Sequence, residues 1–376
     1  MAVYKLFPSK DTALYSMFPS MNTGIDPINQ VSNLNFAIDS APTVARSIIQ
    51  FDSDEIANVL ETKVTGSWDA YFKSYIATAQ GIVEDSILEA YPLHDNWNNG
   101  TGTYLDVPIT TDGASWISPA YAGGISWNIG GPTIGYTSSW NPLYSPQGGG
   151  SWYVSSSDGS VNYPIKQTFN LRSDKDLTLG VTSMVEDWYS GSLPNYGIIL
   201  KWENTIEFNT NKQIQPVLQY YSIDTNTIYP PQLEIRWDDF VWNPTSSISV
   251  ISQPNAFIGL AENPGVFYSG SINRFRLNCR PKYPAQVWST SSLYTKQYYL
   301  PSGSSYYAIK DLDTDEYVID FDSNYTQISC DYTSSYFDIY MNGLEPERYY
   351  KILVQVVASG STTIYDDNYY FKVVNG

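Results

Sequence analysis

His94 is the chain's one histidine, and Asp95 follows it directly. A base held by an acid is two-thirds of a Ser-His-Asp arrangement, and serines are plentiful nearby. The third requirement is a strained turn that presents the nucleophile, and no Gly-x-Ser-x-Gly elbow occurs in the chain. The pair therefore reads as structural, and no catalytic residue is assigned. One His and two separated cysteines, Cys279 and Cys330, do not offer zinc-ligand spacing. The acidic run Asp311-Leu312-Asp313-Thr314-Asp315-Glu316, with Asp322 at its twelfth position, invites a calcium loop. Such a loop needs Gly at its sixth position, where Glu316 stands, and Tyr317 to Phe321 reads as a strand. An acidic hairpin turn is the better description, and neither a metal nor a cofactor is expected. Glu186 and Asp187 could serve as paired carboxylates only within a cleft, and their place on the polar side of a short helix predicts a solvated face.

The elements that must position these groups begin with Leu179 to Lys201. Val181, Met184, Val185 and Trp188 share one helical face. Thr182 or Ser183 is placed to cap that helix, with Glu186 where a capping box wants it. Gly191 reads as the stop, Asn195-Tyr196-Gly197 as a turn, and Ile198-Ile199-Leu200 as a buried strand. Elsewhere the composition is that of pleated surfaces. Aromatics make up 15% of residues, including 33 Tyr and 11 Trp, while charged residues are only 15%. The expected class is all-β: a jelly-roll-like β-sandwich with one short amphipathic helix, then an Ig- or fibronectin-like β-sandwich. At 376 residues two domains are the default, placed at 1–243 and 244–376.

Strands are predicted over 11–16, 44–51, 71–77, 87–93, 205–208, 216–222 and 233–237, with a helical turn or crossover at 56–63. Residues 243–249 (NPTSSIS) read as a linker. Beyond it, 271–279 alternates, with Ile272, Phe275, Leu277 and Cys279 as inward positions. Strands follow at 317–321, 337–341 and 350–357. Leu344 to Tyr350 reads as a turn into a strand whose tyrosine anchors a corner, as in Ig-like sandwiches.

The net charge of −18 argues against nucleic acid as a partner, since no Lys/Arg stripe offsets it. The acidity is uneven: 11 Lys/Arg face 25 Asp/Glu before Thr245 (net −14), and 9 face 13 from there on (net −4). A basic protein partner suits such a surface. The opening residues lack the basic and apolar regions of a signal peptide, and no apolar run is long enough to span a membrane. Assembly in a cytoplasm, with Cys279 and Cys330 as buried free thiols, is the expectation.

Residues 95–150 are rich in Trp, Gly, Asn, Ser and Pro and almost free of charge. A segment of that length inside a domain is usually functional or packed on a partner. Trp116, Trp127, Trp140 and Trp152 admit three readings: a sugar-stacking platform, anchors of a protein interface, or plain packing of the sandwich. The interface reading is preferred, because interface centres are enriched in aromatics and depleted of charge.

Four segments of residues 8–240 resemble the DNRLRE family, jelly-roll-type modules related to certain carbohydrate-binding modules. They are Asp11 to Ser16 with Asn22-Thr23-Gly24; Ala45-Arg46-Ser47-Ile48-Ile49-Gln50-Phe51-Asp52; Val181 to Lys201; and Pro231 to Ile235. Trp97-Asn98-Asn99-Gly100 and Trp116 match further landmarks, although the intervening loop is longer than the family's. The resemblance implies an architectural role for Arg46, Phe51, Thr182, Trp188, Gly191, Asn195, Tyr196 and Gly197. The opening run, Ala2 to Pro8 and Asp11 to Gly24, is similar to virion structural proteins of tailed bacteriophages, especially cyanophage-like myoviruses. That similarity implies a non-enzymatic part of a tail, baseplate or neck-collar, located in the virion, multimeric, and partnered by other virion proteins. The alternative is a carbohydrate-binding or host-surface adsorption module.

Overall fold

The computed structural model describes residues 2–34, 43–140, 147–209, 215–244, 249–252, 255–261, 263–283 and 298–376. The 243–249 linker lies largely outside these, as does the side chain of Trp140. The chain is all-β and of the sandwich type, as expected. It divides into a larger unit, Leu6–Thr62 with Asp69–Glu234, and a smaller one, Met1–Lys5 with Lys63–Trp68 and Ile235–Gly376. The division differs from a contiguous cut at 243. The chain's first residues belong to the smaller unit because Val3 joins its core, Tyr4 packs edge-on against Tyr340, and Asn342 Nδ2 donates to the Lys5 carbonyl at 2.8 Å.

The larger unit is built on an eight-stranded sheet whose centre is Thr43–Phe51. Its run of Val, Ile and Phe closes almost entirely apolar, which suits a strand buried on both faces. Pro8–Tyr15 pairs antiparallel with it, Asp11 opposite Ile49 and Leu14 opposite Arg46. Ile198–Trp202 pairs on its other edge, Ile198 opposite Ile49, and also with Ser86–Pro92. Ile28–Leu34 and Val217–Tyr221 extend the sheet. Short helices accompany it. Ser53–Thr62 starts where the Asp52 carboxylate accepts the Asp54 and Glu55 amides at 2.8 and 3.1 Å.

Thr182–Tyr189 is the predicted amphipathic helix, with Met184, Val185 and Trp188 buried and Gly191 (φ +75°) just past its end. Its cap differs from expectation. Val181 occupies the N-cap, and no side chain caps the turn. Thr182 Oγ1 instead accepts the Ala70 amide at 3.0 Å, tying the helix to the neighbouring strand. Asp187 is not solvated either: it is buried and accepts the Tyr163 hydroxyl at 2.8 Å. The segment 205–208 is also corrected, because Asn204–Glu207 forms one helical turn rather than a strand.

The smaller unit packs two six-stranded sheets over a core of Phe267, Phe275, Tyr307, Phe337 and Phe371. Phe337 stacks on both Phe275 and Tyr307, at centroid distances of 5.6 and 4.4 Å. In the strand Ile272–Pro281, Phe275, Leu277 and Cys279 point inward, whereas Ile272 is half-exposed. Side chains alternate with period two, so 272 falls on the opposite face from 275, 277 and 279. Tyr350 donates its hydroxyl to the Glu345 carbonyl at 3.0 Å, the expected tyrosine corner. Cys279 and Cys330 are free and buried, and burial pushes the Cys279 thiol up to about 12.

Asp11 lies buried in the larger unit, its Oδ2 accepting Asn29 Nδ2 and the Ile223 amide, both at 2.9 Å. Burial outweighs those two bonds and raises its pKa to about 7. Its folded pKa thus lies above the unfolded one, so its contribution is fully present below about pH 4 and lost as pH rises toward 7. Asp11→Asn keeps an acceptor and removes that slope. Urea unfolding at pH 4.5 and 7.5 should show wild type losing about 1 kcal/mol or more relative to the variant.

Candidate functional site

Residues with unusual chemistry gather around Arg46 of the central strand, where Trp116, Thr137, Gly149 and Trp152 meet it. Arg46 is fully buried, and so is Glu207. Arg46 Nε and Nη2 donate to Glu207 Oε1 and Oε2 at 2.8 and 3.0 Å, a bidentate pair. Arg46 Nη1 donates to Thr137 Oγ1 at 3.1 Å and to the Gly149 carbonyl at 2.6 Å. Its guanidinium also lies 5.0 Å from the Trp116 ring centroid and 5.1 Å from that of Trp152. The arginine therefore fastens the aromatic segment to the central strand at Trp116, Thr137 and Gly149.

A second cation deepens the network. Lys201, in the apolar strand Ile198–Trp202, is fully buried and stands 3.4 Å from Glu207 and 3.5 Å from Glu89. Lys166 meets the other oxygen of Glu89 at 3.0 Å, and the Tyr91 hydroxyl donates to Glu89 at 3.0 Å. Burial and the nearby Arg46 lower the Lys201 pKa against the pull of the two glutamates. Burial would raise Glu207, yet Arg46 and Lys201 together hold it below the usual carboxylate range. Every charge here is paired and hydrogen-bonded, as buried charge must be. The arrangement is a buried network in which each charge is held by its neighbours.

Asn22 does for the opening turn what Arg46 does for the core. Its Oδ1 accepts the Gly24 and Gly102 amides at 3.1 and 2.9 Å, and its Nδ2 donates to the Asn99 and Ala114 carbonyls at 2.7 and 2.9 Å. All four capacities of the side chain are filled. Trp97 Nε1 donates to the Tyr196 carbonyl at 2.9 Å, and Asn195 Nδ2 to that of Phe51 at 2.9 Å. The residues marked by the family resemblance fall in two groups: Arg46, Phe51, Asn195, Tyr196 and Gly197 on or near the central strand, and Thr182, Trp188 and Gly191 along the helix or just past its end.

The tryptophans of the aromatic segment point inward. Trp116, Trp127 and Trp152 are 0, 4 and 0% exposed. Trp116 and Trp152 pack on Arg46, and Trp127 Nε1 donates to the Ser115 carbonyl at 3.0 Å. In this chain those rings serve the packing reading, since a buried ring offers no face to a sugar or a neighbouring subunit. What the segment does expose is a set of other apolar residues: Tyr104, Leu105, Val107 and Ile109 in one turn, then Tyr121, Ile125 and Ile129. Counting aromatics in the sequence hides these, because most are aliphatic.

His94 and Asp95 sit beside this surface. His94 Nδ1 lies 2.6 Å from Asp95 Oδ1, while Asp95 Oδ2 accepts the Ser151 hydroxyl at 3.0 Å and the Asn128 amide at 2.7 Å. Ser151 is bonded to the acid, not to the base, and is itself buried. A triad requires the hydroxyl on the histidine, so the order needed for nucleophilic attack is not formed. In the smaller unit the acidic turn is also accounted for. Arg348 holds Asp311 with two bonds of 2.6 Å, and Asp311 Oδ1 also accepts the Asp313 and Thr314 amides. Among the described residues no group of three or more His, Cys, Asp or Glu side chains is arranged to hold a metal. None of the described helices is long and apolar enough to cross a membrane.

Glu207, Lys201 and Glu89 are buried structural partners in the Arg46 network that sequence reasoning passed over. Their signal was present: a lysine inside the run Ile198-Ile199-Leu200-Lys201-Trp202 demands a buried carboxylate nearby, and Glu207 follows six residues later.

No family model matches this chain, and no curated protein does. Among solved structures it is similar to a DUF4785 family protein from Legionella pneumophila, at 9% identity and a TM-score of 0.18. The likeness covers 98% of this chain and 66% of that one, and at that score it carries no argument.

Proposed function

We propose that this chain is a non-enzymatic structural component of a tailed-phage virion, in the tail, baseplate or neck, attached through the turn at 101–112. The observation that carries the attachment is the exposure of four large apolar side chains within six residues. Val107 is 96% exposed, and Tyr104, Leu105 and Ile109 are each more than two-fifths exposed. Scattered apolar residues on a surface need no explanation, but a cluster held out on a fixed turn does. The turn is fixed. Asp106 accepts the Thr103 amide and hydroxyl and the Thr110 hydroxyl at 2.8, 2.5 and 3.1 Å. The Asn22 and Ile25 amides tie its two ends to the first strand region at 2.9 and 3.1 Å.

The virion assignment rests on the resemblance of the opening run to phage structural proteins. Charge adds the partner's character. The larger unit carries 8 Lys/Arg against 23 Asp/Glu, so a neighbouring subunit with an apolar centre and a basic rim complements it. Repeated copies on a symmetric particle turn weak contacts into stable attachment.

The double variant Val107→Asp/Ile109→Asp tests this. Both residues are exposed, so its thermal stability should stay within about 0.5 kcal/mol of wild type. Its incorporation into particles should fall at least about tenfold, as expected when an interface centre gains two charges. Incorporation at the wild-type level would remove this turn from the account.

A further inference from the structure

The geometry points to a second site, which the assembly reading does not use: a cleft that binds a neutral saccharide. The cleft opens beside Asp95, has a volume of about 480 Å³, and is lined by Asp95, Asn96, Tyr121, Ile125, Ser126 and Asn128. That volume lies within the span of small-ligand sites, about 300–1,000 Å³.

Its wall is prebuilt. Tyr121 to Gly124 forms a tight turn closed by the Gly124 amide on the Tyr121 carbonyl at 3.0 Å, with Gly123 at φ +90°. A Cβ at Gly124 would come within 3.2 Å of Tyr121 Cε1, so the bare glycine lets the ring lie against the turn. Ser118 Oγ donates to the Ile125 carbonyl at 2.9 Å, and the Asn128 amide is anchored on Asp95. A ligand would meet this wall with little left to order, which favours affinity.

The lining selects the ligand class. Tyr121 and Ile125, 55% and 86% exposed, offer a ring face and an aliphatic surface. Asn96 and Asn128 each have Oδ1 occupied by a backbone amide, from Trp97 at 2.9 Å and Gly130 at 2.8 Å. Each fixed amide turns its Nδ2 into the group left for a ligand acceptor, and Ser126 adds a hydroxyl. Among the described residues no Lys or Arg lines the cleft, and the unit's excess of carboxylates repels anions. Asp95 is already engaged by His94, Ser151 and Asn128, so it is not a free counter-ion for a cation. A molecule with an apolar C–H face, several hydroxyls and no charge fits, and a neutral sugar has all three.

The full-length chain should be titrated calorimetrically with neutral oligosaccharides of glucose, galactose, mannose and N-acetylglucosamine, and with sialylated and sulfated glycans. At least one neutral class should bind, Tyr121→Phe should retain it, and Tyr121→Ala should weaken it at least about tenfold. Tyr121→Ala should still incorporate into particles, which separates this site from the 101–112 turn. The inference is overturned if no neutral saccharide binds at about 10 mM. It is equally overturned if Tyr121→Ala binds as wild type does, or if the acidic glycans bind in preference.

Discussion

Arg46→Met should destabilise the chain by about 3–5 kcal/mol, because it leaves Glu207 buried and ionised without its bidentate partner. The cost has a second part. Thr137 and the Gly149 carbonyl lose their donor, and Trp116 and Trp152 lose the cation between them. Denaturant unfolding followed by tryptophan fluorescence reads both. The double variant Arg46→Met/Glu207→Gln should recover part of the loss, since the orphaned charge is then gone and only packing and neutral hydrogen bonds differ. Arg46→Lys should rescue less than charge alone suggests, because an ammonium cannot reproduce the fork that spans Glu207, Thr137 and Gly149. A loss under 1 kcal/mol for Arg46→Met would show that the network is not what fastens the aromatic segment to the sheet.

Gly197→Ala should cost about 3–5 kcal/mol for a different reason. Gly197 has φ +98°, a region that side-chain-bearing residues rarely adopt. A Cβ there would stand 2.2 Å from the Ile49 carbonyl oxygen and 2.9 Å from Gln50 Cα, both backbone atoms that cannot rotate away. The clash falls between the central strand and the strand it pairs with, where Ile198 opposes Ile49. Gly191→Ala is the control. Its φ is also positive, at +75°, but nothing lies within 4 Å of an added Cβ, so its cost should be limited to about 1 kcal/mol of backbone strain. Equal melting losses for the two variants would contradict this account.

Much of this architecture is legible in the sequence where local pattern and burial agree. The run from Val44 to Phe51, the helix face of Met184, Val185 and Trp188, and the strand from Ile198 fall where apolar periodicity puts them. The tyrosine corner at Tyr350 is readable because turn residues precede it at fixed spacing. What sequence could not give is set by partners far along the chain. Asn204–Glu207 reads as a strand because Ile206 and Phe208 alternate over too few residues to distinguish periods. In the fold it curls so that Glu207 reaches Arg46, 161 residues away. The same limit applies to the tryptophans. Their number and uncharged setting suit an interface and a core equally, and only the position of Arg46 between Trp116 and Trp152 separates the two. Asp187 looks solvated from its helix face alone because its partner, Tyr163, lies 24 residues upstream.

The most direct test of the central proposal is the protein composition of purified tailed-phage particles produced with this chain encoded. Quantitative mass spectrometry should find it in gradient-purified, nuclease-treated particles at a fixed ratio to tail and baseplate proteins, set by the particle's symmetry. Its absence from purified particles, with the chain present in the lysate, would contradict the virion assignment.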